Sequence, residues 1–291
     1  MLASIQRARS FAKTCLVKAD LNRVKDPREA LHQASLAARH WQKCLEALPA
    51  PQYFSTDAAL LLSDIVSLRR QNAQQYSLNG EFRLAAFEFR HIAHIQELTI
   101  TIPVRQRILR LTASDQYYDR LLDAAQTRRQ AVKVFRLCHD DPRENQLDLA
   151  FELSYLSRTL KFLRANYPAA RTTELREEAI GLRLESAQLF RTCSHYRDAY
   201  FEENHLAELL LQKAHCQAEV YREVAEAALR GAADLEKDFG SDPVWAANLY
   251  RLAIEALKSY RGKVDGSFPQ RVGLIAELEA KLQQVKSDGQ P

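Results

Sequence analysis

Histidine and cysteine carry most of the chemistry that a short motif could organise in this chain, and a few arrangements stand out. His91 and His94 lie three residues apart, the spacing that brings two imidazoles to one side of a helix and could begin a metal site. Glu88, three residues before His91, is the one side chain at helical spacing that could add a ligand. Polar packing between helices is therefore the expectation, with no metal. Cys193 and His195 flank a turn, and Cys138-His139 and His215-Cys216 are adjacent pairs. A cysteine nucleophile needs its base within hydrogen-bond reach and donors for the oxyanion. Adjacent residues on a helix point in different directions, and glycine-rich elbows are absent. The glycines are too scattered to cradle a phosphate, and none follows a strand. The chain is thus expected to have no catalytic residues, no cofactor and no metal, and not to be an enzyme.

Charge offers more. Between Val104 and Arg136 stand Arg105, Arg107, Arg110, Arg120, Arg128, Arg129, Lys133 and Arg136 against Asp115, Asp119 and Asp123, eight bases to three acids. Converging on one wall, they would suit acidic peptides, phosphoryl groups or an RNA backbone. They do not keep one helical phase, so a solvated face explains them as well. For the chain as a whole the formal charge is only +4, which does not argue for nucleic acid or membrane.

These groups need a framework, and composition indicates helix. Hydrophobic residues make up 46% and charged residues 27%, while 8 glycines and 9 prolines leave little for hairpin turns. No apolar run approaches the ~18 residues needed to span a bilayer. Cys15, Cys44, Cys138, Cys193 and Cys216 are odd in number and lie in helical patterns, which implies reduced thiols and a reducing compartment. The tail, 287–291, reads as disordered.

The clearest unit is Leu60 to Leu98. Ala73, Tyr76, Gly80, Phe82, Ala85 and Phe89 alternate small and aromatic residues about a turn glycine. Gly80 can leave the right-handed region without steric cost, the alanines let two helices approach, and the aromatics fill the gaps to neighbours. This pattern resembles a tetratricopeptide (TPR) hairpin. Ala187, Phe190, Tyr196 and Ala199 repeat it loosely, with Ser194 where the glycine stood and Glu203 in place of Phe89. Ala246, Tyr250 and Ala253 echo its second helix, as do Ala30, Ala34, Ala37 and Trp41. The intervals exceed the ~34 residues of a standard repeat, so the helices are expected to be longer.

Several boundaries can also be read. Residues 1–25 form an Arg-rich, acid-poor amphipathic stripe, fitting a first helix or a mitochondrial targeting segment. Asp26-Pro27 starts a helix. Thr99 to Ile102, a β-branched run, reads as a fraying end and connector before a helix from Val104. Asp141-Pro142 starts a helix that runs to Asn166. A break near Gly231, a start at Pro243, a loop over 262–269 and a closing helix over 273–285 complete the reading.

The expected fold is all-α: a right-handed stack of antiparallel helix pairs, a TPR-like α-solenoid over 1–286 with a hinge near 139–142. The resemblance implies a concave groove lined by first helices, which puts Arg69, Asn72 and Gln75 on its wall, joined by Arg105, Arg128 and Arg129 from the basic stretch. The expected function is protein binding by an adaptor, assembly subunit or chaperone-like module, taking a protein or peptide partner within a larger complex in the cytoplasm. The alternatives are RNA or acidic-ligand binding through 104–136, a helical-bundle enzyme, and, if the first helix is a targeting segment, the mitochondrial matrix.

Overall fold

The chain is laid out in helices, several of which begin or end where it supplies a cap, a proline or a left-handed residue. In the computed structural model these are α1 (Leu2–Asn22), α2 (Pro27–Glu46), α3 (Thr56–Leu78), α4 (Phe82–Arg105), α5 (Asp115–Phe135), α6 (Pro142–Asn166), α7 (Thr173–Thr192), α8 (Tyr196–Ala214), α9 (Val220–Lys237), α10 (Pro243–Lys263) and α11 (Pro269–Asp288). The structure describes residues 2–23, 25–48, 56–105, 115–139, 141–167, 170–214, 220–238, 243–263 and 269–288, and among them there is no strand. The protein is all-helical, and consecutive helices pack as TPR-like hairpins.

The caps are those the residue types dictate. Asp26 accepts from the Glu29 amide at 3.0 Å with Pro27 opening α2, and Asp141 accepts from Arg143 and Glu144 with Pro142 opening α6. Two compact units emerge, one of Met1–Asn145 with Phe162–Arg171, the other of Gln146–Lys161 with Thr172–Pro291.

In the first unit, Ala12 and Cys15 of α1 pack with Ala37 of α2 beneath Leu16, Leu36 and Trp41. Cys44, Leu45, Leu61, Leu62, Ile65 and Ile95 then knit α2, α3 and α4 together. The α3–α4 turn closes as a Schellman cap: Glu81 N–H donates to Tyr76 carbonyl at 2.8 Å, Gly80 N–H donates to Ser77 carbonyl at 3.1 Å, and Gly80 sits at φ +76°.

The second unit repeats this 114 residues on. His195 N–H donates to Phe190 carbonyl at 2.8 Å and Ser194 N–H to Arg191 carbonyl at 3.0 Å, with Ser194 itself at φ 64°. Serine therefore occupies the left-handed position that glycine fills in the first hairpin. Ala150, Phe190 and Ala199 form the core there, with Phe151 edge-on to Phe190 at 4.9 Å.

Four expectations are corrected. Thr99 to Ile102 is not a connector: α4 runs on to Arg105, with Ile100 fully buried and the Thr99 hydroxyl donating to the Gln96 carbonyl, so burial overrides β-propensity. No helix starts at Val104, which belongs to α4, and α5 begins at Asp115. Gly231 breaks nothing. It lies within α9 where a Cβ would stand 3.2 Å from both Glu203 Cβ and Leu249 Cδ1, so glycine serves close helix approach. The closing helix starts at Pro269, ahead of Gly273.

Candidate partner-binding surface

The most buried polar groups explain which residues cannot form an open site. Arg69 of α3 is 2% exposed. Its Nη1 donates to Glu88 Oε2 of α4 at 2.5 Å and its Nη2 to Gln42 Oε1 at 2.8 Å, while the Ser35 hydroxyl of α2 donates to Glu88 Oε1 at 2.8 Å. The second unit carries the same triad. Arg183 of α7 donates to Glu202 of α8 at 2.6 Å, and the Ser154 hydroxyl of α6 donates to that carboxylate at 2.7 Å. Burying an arginine and a glutamate is tolerable only because each meets the other with further donors attached. Two hairpins are thereby keyed to the helix before them.

The departure at Glu203 has a similar logic. Where the first hairpin has Phe89, Glu203 is 1% exposed and takes Arg191 at 2.5 Å and Arg230 at 2.8 Å, while Asp234 takes Arg191 at 2.7 Å. Two carboxylates and two guanidinium groups balance. An aromatic position has become an ionic junction of α7, α8 and α9.

The expected groove residues are therefore not brought together. Arg69 and Asn72, each 2% exposed, face the core, whereas Gln75 is exposed on α3. The reason is phase: Arg69 and Asn72 precede Tyr76 by seven and four residues, so they share its interior face. Arg128 is 2% exposed and grips Glu97 of α4 through two bonds of 2.6 Å. Arg129 is half-buried beside Gln126 at 3.3 Å, and the side chain of Arg105 lies outside the described residues. Of the bases between Val104 and Arg136, those exposed among the described residues are Lys133 and Arg136.

His91 is half-buried and His94 exposed. Burial, and next the Arg69 guanidinium, push the His91 imidazole down to about 3, so it packs as a neutral ring. Tyr76, beside Glu88, is pushed up to about 12, chiefly by burial. Among the described residues, no group of three or more His, Cys, Asp or Glu could hold a metal.

What is open is the neighbouring phase of α3. Ala59, Leu62, Ser63, Val66, Ser67, Arg70, Gln71 and Gln74 line a recess of about 400 Å³. Their spacing of three and four residues makes one continuous strip. Leu62 and Val66 give it an apolar floor, and serine hydroxyls and glutamine amides give it donors and acceptors. Arg70 reaches Asp123 of α5 at 3.2 Å, and Gln96 donates to the same carboxylate, so the charge at the recess is locally balanced. This strip could have been found by stepping one residue from the interior phase that Tyr76 and Ala73 define.

No protein-family model matches the chain, and no curated protein does. Among solved structures it is similar to BtubC (BKLC) from P. vanneervenii, with 15% identity over 99% of this chain and 94% of that one, at a TM-score of 0.45. The TPR2AB domain of yeast Sti1, in its complex with pHSP90, is similar with 15% identity over 95% and 97% of the two chains, at 0.25. The S. pombe nuclear import adaptor Nro1 is similar with 11% identity over 94% and 99%, at 0.26. These are distant likenesses. Its own packing makes this chain an all-helical protein of divergent TPR-like hairpins.

Proposed function

We propose that the protein is a non-enzymatic protein-interaction module, an adaptor, assembly subunit or chaperone-like component, which takes a partner segment along the outward strip of α3. The open recess over Ala59 to Gln74 carries this reading. An apolar floor bordered by neutral donors and acceptors suits a segment that buries small apolar side chains while its main chain bonds to Ser63, Ser67, Gln71 and Gln74. Gln75 stands exposed on the same helix and extends that polar border.

The burial of Arg128 against Glu97 weighs against nucleic-acid binding through 104–136, since a guanidinium held inside the fold cannot meet phosphate. Free thiols at Cys15, Cys44, Cys138 and Cys193 suit a reducing compartment such as the cytoplasm. The packing of Ala12, Cys15 and Ala37 favours α1 as part of the fold over a targeting segment. No helix among the described residues is long and apolar enough to cross a membrane.

The test is photo-crosslinking from position 67, with position 133 on α5 as control, in lysate at raised salt and with nuclease. A discrete protein adduct at 67 that disappears in Val66→Glu is expected. Adducts equal at 67 and 133, or lost with nuclease, would overturn the assignment.

A further inference from the structure

One arginine of the first unit lacks the partner that the most buried arginines have. Arg69, Arg128 and Arg183 each meet a glutamate, and Arg191 meets Glu203 and Asp234. Burial works against the charge of Arg191, but the two carboxylates outweigh it and raise the pKa. Arg120 of α5 is half-buried, and its hydrogen bond is to an uncharged group, the Thr99 hydroxyl of α4 at 3.4 Å. Burial pushes its pKa below the usual arginine value, and among the described residues only Tyr117, one turn back on α5, acts in the opposite sense.

The acids nearest in sequence do not serve it. Asp123, one turn on, is held by Arg70 of α3 at 3.2 Å and by the Gln96 amide. Asp119, the preceding residue, points to another side of the helix. Thr99 accepts from Arg120 but brings no charge, its own proton going to the Gln96 carbonyl. Tyr117 also acts on Tyr167, which is 3% exposed, packs against the Tyr118 ring at 5.2 Å, and has a hydroxyl without a hydrogen-bond partner. Cation and phenol are both donors, so an acceptor is what this neighbourhood lacks.

Its place in the fold says where that acceptor comes from. Thr99 follows Gln96 by three residues on α4, and Arg120 precedes Asp123 by three on α5. The Arg120–Thr99 contact therefore lies one helical turn, about 5 Å, from the Asp123–Gln96 contact. Asp123 also anchors Arg70, which lines the α3 recess. A segment lying in that recess runs within a turn of an unbalanced guanidinium.

We propose that Arg120 binds a carboxylate, the side chain of an aspartate or glutamate on the segment that occupies the α3 recess. The guanidinium fork matches the two oxygens of a carboxylate, and one unbalanced positive charge matches one negative charge. This rests on the reading of the recess given above and adds that the partner segment is acidic at one position.

The experiment is selection of a random peptide display library on the full chain. The selected peptides are then titrated by fluorescence anisotropy against the parent, Arg120→Gln, Arg120→Lys and Val66→Glu. They are expected to lose binding to Val66→Glu and to carry Asp or Glu at one position. Changing that acid to its amide, or the receptor to Arg120→Gln, should weaken binding about tenfold, and both changes together little more than either. Arg120→Lys should restore part of the loss. Circular dichroism of Arg120→Gln should show the helix content of the parent and a melting temperature no lower, because the change removes a half-buried charge that no carboxylate balances.

Peptides that need Val66 but carry no acidic position, or whose acid is indifferent to Arg120, overturn this inference and leave the recess reading standing. A selection that yields no peptide sensitive to Val66→Glu overturns both. Melting in sodium acetate against sodium chloride at equal ionic strength separates the other source of a carboxylate. Acetate that stabilises the parent and not Arg120→Gln, with no acidic position among the peptides, would assign Arg120 to a free small carboxylate and overturn the acidic segment.

Discussion

The buried arginines are the residues whose loss should be felt most. Removing one partner leaves a charge stranded in the core, so Arg69→Ala and Arg183→Ala should each cost about 3–5 kcal/mol in urea unfolding. The paired change Arg69→Met/Glu88→Leu should cost markedly less than Arg69→Met alone, because it strands no ion. At the second turn, Ser194 holds φ 64° that a side chain disfavours. Ser194→Gly should therefore stabilise by about 1 kcal/mol in the same assay, and Gly80→Ala should destabilise by a similar amount.

Acid acts through His91. Because the fold pushes the imidazole down to about 3 from its usual 6.5, the unfolded chain takes up the proton first. Stability from this site is complete above about pH 6.5 and declines as pH falls toward 3. His91→Gln should flatten that part of a stability-against-pH curve. In the second hairpin the corresponding His205 bonds Glu208, whose carboxyl is held down to about 2 by His205 and by Lys161 against the opposing effect of burial. That contribution persists lower, fading only as pH drops through the carboxylate range.

Helices and turns were largely legible in the chain, and the reason is local. Asp26-Pro27, Asp141-Pro142 and the Tyr76–Gly80–Phe82 turn state their own geometry within a few residues. The candidate site was not, because its location depends on helical phase set by partners far away in sequence. Arg69 looks like a groove residue until Glu88 and Ser35 are seen to receive it. Its counterpart Arg183, with Glu202, stands at the same 114-residue offset as the alanines and aromatics, and that offset was the available signal. Gly231 misled for a related reason, since nothing nearby in sequence announces that Glu203 and Leu249 crowd it. Gly231→Val should cost about 2 kcal/mol or more by urea unfolding, because Glu203 of α8 is fixed in the ionic junction and Leu249 of α10 crowds the same spot.

At the scale of the whole molecule, the repeat is one of packing and not of surface. Equivalent positions on α3 and α7 carry Ser67 and Gly181, Arg70 and Leu184, Gln71 and Glu185, so the two outward strips present different side chains while their interiors agree. If α5 binds nucleic acid at all, Lys133→Glu/Arg136→Glu is the informative change, since these bases are exposed, whereas reversing Arg128 would disrupt the fold. The expected outcome is retention of the position-67 crosslink and no change in binding to an RNA probe by filter assay.

Glu203 gives the two hairpins unequal freedom to trade places. A graft of α3–α4 into the later slot would find the serine of α6 waiting for its glutamate, yet would set Phe89 against Arg230 and leave Asp234 short of its arginine. The reverse graft would carry Glu203 and Arg191 together and leave Arg230 and Asp234 behind on α9. Gene-level shuffling of these modules is thus opposed at the junction of Arg191, Glu203, Arg230 and Asp234, although the arginine, glutamate and serine triads would match.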